Sequence, residues 1–423
     1  MTSEQKERGV GTRRARRERA IDDLLVDVCA GRPPRLPAGD EVAGEVFDEI
    51  VRATRFHRIA PLTQVALREQ YPEAAKRLRG HRDHAMLHHL RTMAALGGIA
   101  KALDGIPWLT FKGPVLSELA HPLPGLRSYA DLDLLLAPED LRAGCERLAE
   151  AGWTITGPEA ALRFRPVNGE ISLVGSDGTV LDLHWAMINP ARRRSHFTVS
   201  TGSLLARRVP VTLGPTRAWT LDDADALVHV CMHAALAGAN RLGHLLDADQ
   251  LARQTEDWDA IARRAREWSA TPQVALVLGR ASRLLGTPVP DDLRRRLGLS
   301  SAFEALTATV DRHWPVHRLR HDASVPRLVA RGARDGALRS LASIGRNGFL
   351  GIVDRVRPLT SAPPPVPPGA PPRRTPVDPH AVEDYLAAVE DLAHRPGGAR
   401  SRPRVLRRAE PLMSAVGPTR QDA

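Results

Sequence analysis

The chain has 423 residues and a formal net charge of +11 at neutral pH, a length that allows two or three domains with a substantial core. No apolar run approaches the roughly 18 residues of a transmembrane helix, and the N-terminus lacks the apolar centre of a signal peptide. We therefore expect a cytoplasmic protein without a membrane partner. Cys29, Cys145 and Cys231 lie far apart, which argues against a disulfide framework or a cysteine zinc site and predicts small buried residues.

The first residues carry much of the excess positive charge. Residues 1–19 lack apolar periodicity, which predicts a disordered basic tail. The tail contains five closely spaced arginines: Arg13, Arg14, Arg16, Arg17 and Arg19. Such a charge favours polyanionic partners in general. Because no aromatic residues interleave with these arginines, as base stacking would require, we interpret the run as a solvated tail. Nucleic acid is a possible partner but not the favoured one.

Residues 20–104 are predicted to form an N-terminal helical subdomain. Between Pro72 and Leu103 the apolar residues recur at steps of three and four. This spacing predicts one long amphipathic helix, or two helices that break near Gly97-Gly98.

Residues 105–218 are predicted to form a small mixed α/β core. Five apolar or alternating segments predict strands, at 108–111, 131–136, 153–156, 171–174 and 179–185. Helices are predicted after Pro114 and from Pro138 to Ala151. The fold class is therefore α+β: a small mixed sheet flanked by N-terminal and C-terminal helical subdomains, with disordered tails.

Two carboxylates interrupt the second predicted strand. Asp131 and Asp133 alternate with leucines, so both point to one face, and their burial is costly unless a cation compensates. Mg²⁺ prefers such hard oxygen ligands, supplemented by water and substrate phosphates. In the last strand Asp182 and His184 again share a face. The sequence thus predicts a metal site with three acids, Asp131, Asp133 and Asp182.

Lys112 and Gly113 follow the first predicted strand and precede a helix. Backbone N–H groups at such a turn can bind an anion, and Lys112 adds positive charge. We predict that this turn binds phosphates. Arg127 is a second candidate for phosphates, or it pairs structurally with one of the acids.

Residues 219–358 are predicted to form a C-terminal helical bundle, and residues 359–423 a Pro- and Arg-rich linker and mobile tail with one short helix at 382–392. Histidines recur at helical spacing in three places, among them His229 and His233. Such rows permit metal binding, but packing or hydrogen bonding is the favoured interpretation.

Together these segments resemble a known family. The pattern Leu109-Thr-Phe-Lys112-Gly113, Gly125-Leu-Arg127, Asp131-Leu-Asp133 and Leu181-Asp-Leu-His-Trp185 resembles the uncharacterised bacterial nucleotidyltransferases of the DNA polymerase β-like superfamily. His229 and the stretch Arg241 to Asp247 fit the same pattern, and the resemblance covers roughly residues 45–270. One departure is the Lys112-Gly113-Pro114 turn, where the superfamily usually has Gly-Ser or Gly-Gly.

The resemblance implies transfer of a nucleoside monophosphate from a nucleoside triphosphate to a hydroxyl of a protein, peptide or small molecule. Two Mg²⁺ ions, or Mn²⁺, would be held by Asp131, Asp133 and Asp182, with ATP among the possible nucleotides. Lys112, Gly113 and Arg127 would bind the nucleotide. Asp182 would help to deprotonate the acceptor, and His184 would assist proton transfer or orient that carboxylate.

Two other classes of function stay open. The altered turn favours a nucleotide-binding or scaffold protein without turnover. A nucleic-acid-binding protein driven by its basic tails would instead show steeply salt-dependent binding.

Overall fold

The computed structural model describes residues 3–36, 45–157, 159–298, 301–334, 340, 342–345 and 377–394. In these ranges the chain is α+β, with one five-stranded sheet, one hairpin and many helices, as the sequence predicted. No helix in these ranges is long and apolar enough to cross a membrane. All three cysteines are free and buried, also as predicted.

Within the described residues four helices precede the sheet: α1 Ser3–Cys29, α2 Glu45–Phe56, α3 Ala60–Leu67 and α4 Pro72–Ala102. In α1 the chain is helical from Ser3, whereas the sequence predicted disorder over residues 1–19. Ile21, Leu24 and Leu25 are fully buried, so packing of the second half anchors a helix that arginine, a good helix former, can extend. The 31-residue α4 continues through Gly97, whose missing side chain leaves room for Thr216.

The sheet has the order β1-β2-β5-β4-β3. Its strands are β1 Trp108–Phe111, β2 Leu132–Leu136, β3 Thr154–Thr156, β4 Glu170–Val174 and β5 Val180–His184. Only β2 and β5 run parallel, and the other neighbours are antiparallel. The parallel pair occupies the middle of the sheet and is therefore enclosed on both edges.

The two faces of β2 enter different parts of the core. Leu132, Leu134 and Leu136 pack with α4 residues in one apolar cluster, and Leu135 joins a second cluster built mainly from helices. Strand alternation places Asp133 on the same face as Leu135. The acidic face of the sheet therefore looks towards the helical part of the molecule.

Further elements surround the sheet. The helices between strands are α5 Gly113–Leu119, α6 Leu141–Glu150 and α7 Glu159–Leu162, and after the sheet come α8 Ala191–Arg194 and α9 Thr201–Arg207. A hairpin follows, β6 Val209–Leu213 with β7 Thr216–Thr220. The bundle then comprises α10 Asp223–Ala237, α11 Leu242–Arg253, α12 Trp258–Glu267, α13 Thr271–Leu285, α14 Leu293–Arg296, α15 Ser301–His313 and α16 Ser324–Gly332.

A last helix, α17 Pro379–His394, packs on the sheet domain. The sequence predicted a shorter helix inside a mobile tail, whereas Tyr385 is fully buried and Arg142 on α6 forms ion pairs with Glu383 and Glu390 at 2.8 and 2.6 Å. Long-range side-chain complementarity, which a local pattern does not reveal, explains the difference. The proline-rich linker and the end of the predicted tail lie outside the described residues.

Tyr385→Phe is expected to lower the free energy of unfolding by about 1 to 3 kcal/mol, because it removes a buried hydroxyl and leaves its hydrogen-bond partners unsatisfied. That hydroxyl accepts a hydrogen bond from Trp185 Nε1 at 2.9 Å, and its single proton can be donated to the backbone oxygen of Asn168 or of Glu170, each 2.9 Å away. Urea unfolding measures the change, with the exposed Asp384→Asn as control. Equal stability of both variants would show that α17 does not depend on this contact.

Candidate active site

The acids predicted from the sequence lie on or next to the two neighbouring parallel strands. Asp133 on β2 is directly opposite Asp182 on β5. Asp131 immediately precedes β2 and, by alternation, projects to the same face as Asp133. Asp131 and Asp182 are half-buried, and Asp133 is buried. Three carboxylates therefore share one face of the sheet.

Two further polar residues on β4 extend this face. Ser172 is paired with Asp182 and donates a hydrogen bond from Oγ to Asp182 Oδ1 at 2.6 Å. Glu170 is paired with His184, and its Oε2 lies 3.3 Å from His184 Nδ1. Sequence reasoning missed both. The register of the β4–β5 hairpin was the available signal, since counting outwards from its turn places Ser172 and Glu170 on the acidic face.

Asp133 is the most strongly held carboxylate. Its Oδ1 lies 2.8 Å from Lys112 Nζ and 3.0 Å from His184 Nε2. Burial alone would raise the pKa of Asp133, but the Lys112 ammonium and the hydrogen bond from His184 keep it well below its usual range. Burial alone would likewise lower the pKa of His184, yet its bond to Asp133 and the charge of Glu170 raise it. Lys112 thus pairs with a carboxylate, and its role in phosphate binding stays a prediction.

For Asp131 and Glu170 the nearby positive charges do not outweigh the effect of burial. Burial, followed by the charge of Asp133, raises the pKa of Asp131 to about 6. Burial raises the pKa of Glu170, and the charge of Asp182 raises it further against the opposing charge of His184. Negative charge therefore exceeds positive charge on this face.

The turn after β1 brings the backbone close to the acids. Lys112 has φ 57° and ψ −131°, a conformation that is costly for any residue except glycine. Gly113 has φ 25°, and a Cβ there would lie 3.3 Å from the backbone oxygen of Asp131. A side chain at position 113 would thus press on the loop that carries Asp131.

Arg127 has an unexpected partner. Its Nε and Nη2 donate to the two carboxylate oxygens of Asp247 on α11, each at 2.8 Å. The sequence offered phosphate or one of the strand acids as partners, but Asp247 lies 120 residues away. Both side chains are about nine-tenths buried, so this bidentate pair fastens the loop before β2 to the helical bundle.

Histidines continue from the acidic face into the bundle. The Phe111 ring lies 5.2 Å from that of His184 and 5.1 Å from that of His229. His233 follows at 6.1 Å from His229, and His244 at 5.6 Å from His233, between ring centroids. These rings connect the sheet to α10 and α11, which agrees with a packing role.

Protonation of the enclosed histidines should make stability depend on pH. Burial lowers the pKa of His57 and His244 to about 3 and that of His229 and His233 well below the usual value. Only the unfolded chain then takes up these protons near pH 6.5, so their contribution is complete above that pH and falls as the pH drops. His184, with its raised pKa, has the opposite sign. We expect the urea midpoint to fall from pH 7.5 to pH 6, and a constant or rising midpoint would contradict this.

The donor set fits a divalent cation. Carboxylate oxygens are the ligands that Mg²⁺ prefers, and the uncompensated charge at Asp131 is what a dication would neutralise. Among the described residues no three acidic, imidazole or thiol groups already converge as a metal cage would. Mg²⁺ does not need such a cage, because it commonly takes one or two carboxylates and completes its shell with water and phosphates.

A comparison with protein families adds to this geometry. A family model described as an uncharacterised nucleotidyltransferase matches residues 44–286, more than half of the chain. No curated protein matches the chain. The matched span begins just before α2 and ends after α13, so it contains the whole acidic face and leaves out α1 and α17.

Proposed function

The chain belongs to the uncharacterised nucleotidyltransferase family, and from this premise we propose that it transfers a nucleoside monophosphate from a nucleoside triphosphate to a hydroxyl acceptor. The acceptor is a protein, a peptide or a small molecule. One observation carries the proposal: Asp133 and Asp182 are direct neighbours across the parallel β2–β5 pair, and Asp131 precedes β2 on the same face.

In the proposed reaction the acceptor oxygen forms a bond to the α-phosphorus, and the bond from that phosphorus to the pyrophosphate oxygen breaks. Asp182, half-buried beside Ser172, takes the proton of the acceptor hydroxyl. Two Mg²⁺ ions, replaceable by Mn²⁺, would be held by Asp131, Asp133 and Asp182 and would neutralise charge on the attacking oxygen and the triphosphate.

Positive groups of the chain complete the proposed site. Lys112, next to Asp133, supplies positive charge for the triphosphate. The Gly113 backbone, which has no side chain, lets the triphosphate approach closely. Arg127 is fixed by Asp247 and contributes through its remaining nitrogen. His184, between Asp133 and Glu170, orients the carboxylates or assists the proton transfer.

A non-catalytic nucleotide-binding or scaffold protein is the second candidate. Its specific support is the contact between Lys112 and Asp133, which neutralises one carboxylate within the chain. Against it stand the other carboxylates of the same face, whose burial a scaffold does not need.

The test is incubation of the protein with each α-labelled nucleoside triphosphate and Mg²⁺, with cell extract and the protein itself as acceptors. We expect wild type and Glu139→Gln, an exposed acid after β2, to transfer label, and Asp131→Ala/Asp133→Ala or added chelator to abolish transfer. Tight nucleotide binding without transfer in any extract would favour the scaffold. Equal or absent nucleotide binding in wild type and the double variant would reject the acid site.

A further inference from the structure

Three arginines and a histidine gather beside the acidic face. Arg58 lies in the loop between α2 and α3, and Arg241 immediately precedes α11. His244 belongs to the first turn of α11, and Arg127 lies in the loop before β2. The four therefore come from three separate parts of the chain.

The contact between the α2–α3 loop and α11 fixes Arg58 against the start of α11, which Arg241 precedes. Gly243 N donates to His57 O at 2.9 Å, and Leu242 N donates to His57 Nδ1 at 3.2 Å. A Cβ at Gly243 would lie 2.8 Å from His57 O and 3.3 Å from Arg58 Cβ. Arg58 itself has φ 60°, a strained conformation for arginine. Arg58 and the start of α11 are thus held together at close range.

One side of the start of α11 carries Arg241 and His244 and also holds Arg127. Arg241, His244 and Asp247 are spaced by three residues, so they line one side of the helix start. Asp247 holds Arg127 through two hydrogen bonds of 2.8 Å. The Arg241 guanidinium also lies 5.2 Å from the ring centre of Phe56, the last residue of α2.

The polar atoms of this group have few partners. Arg58 is an exposed residue whose side chain forms no protein hydrogen bond or ion pair within the described part of the chain, and Arg127 Nη1 is buried without a hydrogen-bond partner. His244 is 6% exposed, and neither of its ring nitrogens has a partner. Arg241 has one carboxylate partner, because its Nη2 forms an ion pair with Asp322 Oδ1 at 3.7 Å. Buried polar atoms without partners are rare and costly, so a ligand that reaches Arg127 Nη1 and the His244 ring would bind with favourable energy.

The charges of the group are also crowded. Although Arg58 reaches solvent, the protein around its guanidinium lowers its pKa, and the charges of Arg241 and Arg127 lower it further. Burial, followed by the charge of Arg58, lowers the pKa of His244 to about 3, so the imidazole is neutral and can donate one hydrogen bond. An anion would relieve this repulsion.

We propose that Arg58, Arg127, Arg241 and His244 form a subsite for a phosphate-type anion next to the acidic face. The subsite is adjacent because Arg127 lies in the same loop as Asp131, just before β2, and is held there by Asp247 of α11. The subsite proposal rests on the proposed function, because that function supplies the anion. The anion is either the terminal phosphates of the nucleoside triphosphate or a phosphate on the acceptor. Arginine suits both, since its planar fork matches phosphate oxygens.

The test is calorimetric titration with inorganic pyrophosphate, each nucleoside triphosphate and the matching monophosphate, in chelator and without Mg²⁺. Arg58→Ala is compared with Arg52→Ala, an exposed arginine on α2, and with the milder His244→Gln. We expect Arg58→Ala to weaken pyrophosphate binding about tenfold, the usual effect of losing one charged hydrogen-bond donor. Arg52→Ala should leave binding unchanged.

The nucleotides then separate the two sources of the anion. Parallel loss of triphosphate affinity, with monophosphate affinity unchanged, assigns the subsite to the triphosphate tail. Unchanged triphosphate affinity, with pyrophosphate and nucleotide bound together, assigns it to an anionic acceptor. Absence of pyrophosphate binding in wild type, or equal binding in wild type and Arg58→Ala, overturns the subsite.

Failure of this subsite and failure of the proposed function are distinguishable. Pyrophosphate binding without metal does not require Asp182, so Asp182→Asn should retain it even though transfer is lost. If no transfer occurs under any condition but Arg58→Ala still weakens pyrophosphate binding, the subsite stands and the transferase proposal fails.

Discussion

Asp182→Asn is expected to lower nucleotidyl transfer about a thousandfold, because it removes both a proposed metal ligand and the proposed acceptor of the hydroxyl proton. The amide keeps the size of the carboxylate and can still accept the hydrogen bond from Ser172 Oγ, so we expect normal folding. Initial rates of label transfer at saturating Mg²⁺ measure the effect.

Glu139→Gln is the matched control, since this acid is exposed in the turn that follows β2. It loses one negative charge in the same domain and should transfer at the wild-type rate. Transfer by Asp182→Asn within a few-fold of wild type would remove Asp182 from the chemistry and would leave Asp131 and Asp133 as the remaining acids.

Arg127→Leu is expected to lower the free energy of unfolding by about 3 to 5 kcal/mol, because it leaves the Asp247 carboxylate buried without its bidentate partner. The side chains of Arg127 and Asp247 are only 12% and 9% exposed, so water cannot replace the lost contact easily. Urea unfolding followed by circular dichroism measures the change.

The control for this substitution is Arg263→Leu on α12, whose guanidinium lies 3.7 Å from Asp257 and where both side chains are more than half exposed. Such a surface pair contributes about 0 to 1 kcal/mol. If Arg127→Leu costs no more than the control, Arg127 does not anchor the loop, and a direct role with phosphate becomes its main function.

Local patterns were sufficient to predict the sheet. Alternation around Asp131 and Asp133 predicted β2, and Thr179 to Trp185 predicted β5, with bounds that differ from the structure by one residue or less. Strand alternation also predicted which acids share a face, because that property depends only on the period of two. The Asp182–Asp133 pairing itself needed the family resemblance, since no local rule states which strands are neighbours.

Features that depend on contacts far apart in sequence were missed. Arg127 was a candidate phosphate ligand because its partner on α11 could not be identified from spacing. Arg58 drew no attention, since its left-handed backbone and its approach to Gly243 exist only in the folded chain. The contact of Thr220 is a further example, because its Oγ1 donates to Thr110 O, 110 residues earlier in the chain.

The docking of α17 has a consequence for synthesis of the protein. Trp185 at the end of β5 contacts Tyr385, which the ribosome adds 200 residues later. At about 5 to 20 residues per second, this delay is roughly 10 to 40 s. All five strands are translated long before the helix that packs on their domain, so the apolar residues that α17 contacts, Trp185 among them, lack that cover during the interval. A chaperone that recognises apolar surface would therefore have its opportunity after β5 is made and before α17 arrives.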